Sequence, residues 1–155
     1  MLLALLLQAA APPPSVPPNP CHRVEMHGDT KVIVGLGDRF CVDLQPPRTY
    51  EGIWVDYFEG QAFVEGATTL SAVDPRHAYP WFNTENPLKS FERPGFTGRG
   101  YVYGHGYKVR FVGRQARDMN RPTLAGYGHL GMSPGLIVLD ELLSIEDLGP
   151  LNPQD

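Results

Sequence analysis

Tyr107-Lys108-Val109-Arg110-Phe111 alternates large apolar with basic side chains, and a second apolar run, Leu136-Ile137-Val138-Leu139, follows it after a glycine-rich turn. Period-two alternation puts every second side chain on one face of a strand, so the first run reads as a strand with one face buried and the second as another strand of the same sheet. The turn between them, Gly126-Tyr127-Gly128-His129-Leu130-Gly131, offers backbone freedom at three positions and suits a tight fold over the end of a barrel or sandwich.

Working outward, the same kind of punctuation recurs along the chain. The 155 residues contain 17 glycines and 16 prolines, yet 42% are hydrophobic, so many turns surround a real core. Apolar spacing at i, i+3, i+4 and i+7 is everywhere interrupted by Gly or Pro, which excludes a helical bundle. Ile53, Val55 and Tyr57 alternate with Trp54 and Asp56, and Glu59-Gly60 turns the chain into 61–66; this predicts a hairpin of 50–58 with 61–66. Lys31–Val34 and Arg39–Leu44, separated by Gly35-Leu36-Gly37-Asp38, read as a hairpin or one long strand bent by a glycine bulge. Gly35-Leu36-Gly37 lacks the third glycine and the following helix of a dinucleotide fingerprint. Residues 67–100 carry Pro75, Pro80, Pro87 and Pro94 and read as an irregular crossover with a single turn near Thr84–Ser90. Its aromatic residues, Tyr79, Trp81, Phe82, Phe91 and Phe96, are expected to plug one end of the barrel, with a stacking platform for a sugar or base as the alternative.

The N-terminal region has a different character. Leu2–Leu7 and Ala9-Ala10-Ala11 resemble the end of an export signal over residues 1–11, too short for the roughly 20 residues that span a bilayer. Residues 12–20 hold six prolines and form an extended linker. A single β domain is expected over 21–150, with 151–155 as a tail. Export makes the protein periplasmic or extracellular; the alternative is a frayed apolar start on a cytoplasmic protein. Cys21 and Cys41, an even pair in an exported chain, predict a disulfide that closes about 20 residues and stabilises by about 3 kcal/mol. The pair is neither Cys-x-x-Cys nor a sufficient zinc site.

The five segments, a bent strand at 31–44, the hairpin, and strands at 105–115 and 135–147, with a long connection between the third and fourth, resemble an OB-type barrel, all-β and antiparallel. An open β-sandwich or roll is the runner-up. The run Val109-Arg110-Phe111-Val112-Gly113-Arg114, leading to Tyr127-Gly128-His129-Leu130-Gly131, is similar to the end of small uncharacterised exported bacterial proteins; this likeness carries over no functional residue.

The net charge is −4, which argues against nucleic acid or an anionic membrane as partner. Charge is segregated, however: between Arg99 and Arg121 stand six bases against the single acid Asp118. Lys108, Arg110, Arg114, Arg117 and Arg121, with Trp81 as a stacking group, are the candidate ligand contacts, suited to an anionic small molecule or a saccharide. The competing reading pairs those bases with the acids Glu51, Asp56 and Glu59 of the hairpin or Asp140 and Glu141 of the last strand. His105 and His129 lie among glycines and, with Asp140, are candidate metal ligands. The acids Glu51, Asp56, Glu59 and Glu65 read as a solvated hairpin face rather than a catalytic carboxylate pair. The expected function is therefore a non-catalytic binding or interaction module of the cell envelope, without a cofactor and with a small molecule, saccharide or envelope protein as partner. The alternatives are a metal-assisted hydrolase using His105 and His129, and a structural envelope protein.

Overall fold

The computed structural model describes residues 21–57, 59–85 and 104–151. The signal-like start, the proline linker, the tail after Leu151, and Phe91, Phe96 and Arg99 lie outside the described residues.

The chain is all-β and forms two sheets. The smaller is the hairpin of β1 (His22–His27) with β2 (Thr30–Gly35). The larger is a closed barrel of β3 (Arg48–Tyr57), β4 (Gly60–Glu65), β5 (Trp81–Asn83), β6 (His105–Gln115) and β7 (Leu136–Pro150), in the order β3-β4-β5-β7-β6. β6 pairs back onto β3 along nine residues, from Arg48↔Gly113 to Asp56↔His105, and closes the ring. Closure removes the open sandwich or roll. No helix among the described residues is long and apolar enough to cross a membrane.

The alternation in 107–111 is realised as expected: Tyr107, Val109 and Phe111 are fully buried, Arg110 is exposed and Lys108 half-buried. The inward residues of the neighbouring strands meet them. Tyr50 stacks on Phe111 with ring centroids 5.1 Å apart; Phe63 and Phe82 approach Phe111 at 5.0 and 4.7 Å; Trp54 lies 5.0 Å from Tyr107. Rings at these separations pack with edges and faces engaged, and with Val109, Ile137 and Leu139 they form the interior of the barrel.

Both faces are buried where β3 and β7 run. On the outer side of β3, Ile53 and Val55 pack with Ala62, Val64 and Ala67 beneath Leu70, Val73 and Tyr79 from the 66–80 segment. On the outer side of β7, Leu136 and Val138 pack with Ala116 and Tyr127 beneath the 116–135 segment, while Ile137 and Leu139 point into the barrel. That two-sided burial is why 136–139 is uniformly apolar instead of alternating.

Three expectations are corrected. Residues 31–44 are not a barrel strand: β2 leaves the barrel to pair with β1, and Asp38–Cys41 form a single helical turn, α1. A two-residue turn at Gly28-Asp29, with Gly28 at φ 61°, closes that outer hairpin. The strand that completes the barrel is instead β5, from the stretch expected to be irregular; Phe82 enters the interior as a strand residue and not as a plug. Finally, the barrel is not wholly antiparallel, because β5 runs parallel to β7 through Trp81↔Leu136, Phe82↔Ile137 and Asn83↔Val138.

Replacing Phe111 by Ala should cost about 3–5 kcal/mol and replacing Arg110 by Ala less than about 1 kcal/mol, measured by urea unfolding. Equal costs at the two positions would contradict the inward placement of the 107–111 strand.

Candidate functional site

The predicted cationic patch is largely spent on the protein's own acids. Arg114 grips Asp140 with two hydrogen bonds, Nε–Oδ2 at 2.9 Å and Nη2–Oδ1 at 2.8 Å. Arg117 pairs with Asp43 at 3.0 Å, and Arg121 with Asp118 at 3.0 Å while lying 4.5 Å over the Tyr127 ring. Arg110 stands opposite Glu51 in the register of β3 and β6, and Lys108 opposite Glu146 of β7. These are the cross-strand and loop pairings expected of bases that belong to the fold. Trp81 offers no open platform: it is half-buried and seats on Gly128, where a Cβ would come within 2.1 Å of the indole. Gly128, at φ 68°, is therefore required both by its backbone and by the ring above it.

The three candidate metal ligands are not assembled. His105 pairs with Asp147 near the start of β6; His129 faces Glu59 at 3.5 Å; Asp140 is held near the opposite end of β6 by Arg114. Among the described residues no group of three or more His, Cys, Asp or Glu is arranged to hold a metal ion. The physical reason is register: His105 and Arg114 occupy opposite ends of an eleven-residue strand, so the carboxylate that Arg114 holds is a strand length from the His105 ring.

Another site is formed where the outer hairpin returns to the barrel. Gly35, Leu36, Gly37, Asp38, Arg39 and Phe40 on one side and Asn83 and Glu85 on the other enclose an open cleft of about 400 Å³. Gly37, at φ 77°, turns the chain out of β2 and into α1. The Asn83 amide donates to Asp38 Oδ2 at 2.9 Å and joins the two walls, while the Glu85 backbone N–H donates to Asn83 Oδ1 at 2.9 Å and fixes the end of β5. Phe40 projects a 61% exposed ring at the rim.

Arg39 anchors this cleft to the barrel. Its Nη1 donates to Asp140 Oδ1 at 2.5 Å and its Nη2 to the Leu139 carbonyl, so Asp140 is clasped between Arg39 and Arg114. Burial pushes the Asp140 carboxyl up, but the hydrogen bonds from Arg114 and Arg39 outweigh it and leave the group below its ordinary value. The Nε of Arg39 is buried without a partner among the described residues. Sequence reasoning missed Arg39 because its acid lies 101 residues away; the glycine pair that bends the chain beside it was the visible trace.

The two cysteines brace the wall from behind. Leu36 N–H donates to the Cys21 carbonyl at 2.9 Å, Cys41 closes α1, and each Sγ lies 3.6 Å from the other residue's carbonyl oxygen. The two cysteines of the expected disulfide are thus brought side by side, with no S–S bond between them in this structure. Burial, together with the neighbouring Cys21, pushes the Cys41 thiol up to about 11. No family model matches this chain, and comparison with curated proteins and with solved structures finds no match. The functional argument therefore rests on the cleft and its chemistry.

Asp140→Asn should destabilise by about 2–3 kcal/mol, between the figures for exposed and fully buried pairs, because two guanidinium groups lose their shared counter-charge. Asp140 and Asp147, the latter lowered by hydrogen bonds from His105 and the Gly149 N–H, both titrate below the ordinary 3.8. A depressed carboxylate contributes stability above its unfolded value and loses it as pH falls through the folded one. Urea unfolding of the wild type should thus weaken below about pH 4. Asp140→Asn should weaken less steeply there; an unchanged acid slope would refute the clasp.

Proposed function

We propose that the chain is an exported, non-catalytic binding module of the cell envelope, that its barrel is of the OB type, and that its ligand is a saccharide held in the Gly35–Phe40 cleft. The barrel reading is supported by the strand order and by a parallel third and fifth barrel strand joined through an antiparallel fourth. The binding reading is carried by one observation: the interior is a packed cluster of aromatic and aliphatic side chains, while the cleft outside it is open and lined by hydrogen-bonding groups.

The cleft's chemistry favours hydroxyl-rich ligands over anions. Asp38 and Glu85 present carboxylates that accept from hydroxyls and repel an anion, and Arg39, the base among the described lining residues, is turned onto Asp140 and the Leu139 carbonyl. The exposed Phe40 ring offers a flat apolar face to the C–H side of a sugar ring. Clefts of this size, largely formed before binding, suit one or two small rings.

Soluble neutral oligosaccharides of glucose and of N-acetylglucosamine, titrated into labelled protein, should move amide resonances of Leu36–Phe40 and Asn83 in a saturable way. Phe40→Ala and Asn83→Ala should each weaken binding by about tenfold, the loss expected for one stacking or hydrogen-bonding contact. Arg121→Ala, outside the cleft, should leave it unchanged. Resonance shifts confined to other surfaces, or none, would remove the saccharide reading and leave a structural envelope role.

The export reading has its own test. In protein recovered from an oxidising compartment, the adjacent Cys21 and Cys41 should be joined, so thiol labelling after denaturation without reductant should find almost no free cysteine. Two free thiols per chain would count against both the bridge and export.

A further inference from the structure

A separate feature of the fold is left incomplete in a single chain. Among the described residues the β1–β2 hairpin stands as a two-stranded sheet, neither strand pairing with the barrel, and none of its residues is buried. Isolated two-stranded hairpins are marginal in water, and their outer edges present unpaired backbone N–H and C=O groups. One face carries exposed apolar groups between His22 and Lys31: Val24 stands opposite Ile33 with Met26 alongside, and the three are 56%, 66% and 63% exposed. The other face carries Arg23 and Glu25, joined at 2.7 Å, with Val34 and Val32 opposite them.

We infer that β1 is a self-association edge, on which a second copy of the chain pairs antiparallel in a register centred on Val24. The strand's own sequence selects this partner and this register. Centring on Val24 sets Arg23 opposite Glu25 of the second copy and Glu25 opposite its Arg23, so two intrachain pairs become a closed ring of four alternating charges. A shift to a centre on Glu25 opposes two carboxylates, and a centre on Arg23 opposes two guanidinium groups. A one-residue slip faces Val24 with Glu25 and Arg23 with Met26. In the selected register the opposite face gains a row across four strands, Ile33 and Val24 of one copy followed by Val24 and Ile33 of the other. Two-fold symmetry follows from a strand that matches itself when reversed. A single strand edge buries less than the roughly 1,200 Å² of a stable complex, so a concentration-dependent monomer–dimer equilibrium results.

Sedimentation velocity on the full chain at rising concentration should show the sedimenting mass double. Arg23→Glu and Glu25→Arg, each of which opposes like charges in the ring, should both stay monomeric. Mixing the two variants should restore a dimer, because the two carboxylates on the edge of one chain then face the two guanidinium groups on the edge of the other. That rescue also excludes misfolding as the cause of the single-variant loss. A wild type that stays monomeric, single variants that still dimerise, or a mixture that stays monomeric would each overturn the inference. Association through the leading leucine run would survive both substitutions and counts as the second of these outcomes.

Discussion

Six rings, packed with Val109, Ile137 and Leu139, make up the interior of the five-stranded barrel. Tyr50, Trp54, Phe63, Phe82, Tyr107 and Phe111 come from four of the five strands, and each touches at least one ring from another strand. The consequence is twofold. Register is fixed from inside on the four strands that carry a ring, since a one-residue slip of any of them would send its ring outward. Function is also displaced to the outside, where the segments that cover the barrel meet its strands.

The second organising contact is the clasp on Asp140. It joins α1 to β6 and β7, and through Arg39 it fixes the wall that carries Gly35–Phe40. Half-buried pairs of this kind stabilise modestly but specify geometry strongly, because a carboxylate between two forked guanidinium groups tolerates little displacement. The cleft is therefore held by the barrel even though its lining comes mainly from the hairpin's return. It also explains why a basic stretch in the sequence yields little positive surface.

What is legible in the sequence is local. The alternation at 107–111 and the hairpin of β3 with β4 are set by nearest neighbours on a strand, and the structure keeps both. β5 is not legible, because three residues carry no period; Trp81–Asn83 is a strand only since β7 and β4 flank it. The outer hairpin has signals of its own, Arg23-Val24-Glu25-Met26 alternating into Gly28-Asp29, but the glycines after it punctuate the chain more strongly and mask them. Of the candidate site, Trp81 and the bases stand out as residue types while their roles do not. Only the folded pairing shows which acids take up these bases: Asp140 for Arg114 and Asp43 for Arg117 from distant segments, Asp118 for Arg121 three residues away.

That β7 follows the other four barrel strands in sequence order has a bearing on how the barrel is made. β7 is the partner of both β5 and β6, and its residues 136–139 supply apolar surface to the interior and to one outer cluster. A chain emerging from the ribosome N-terminus first can pair β3 with β4 early, yet it cannot close the ring until its last strand has appeared. The aromatic interior stays accessible to water, and to any holding chaperone, until that strand arrives. Closure is thereby governed by long-range pairing, a slow late step rather than a gradual accumulation.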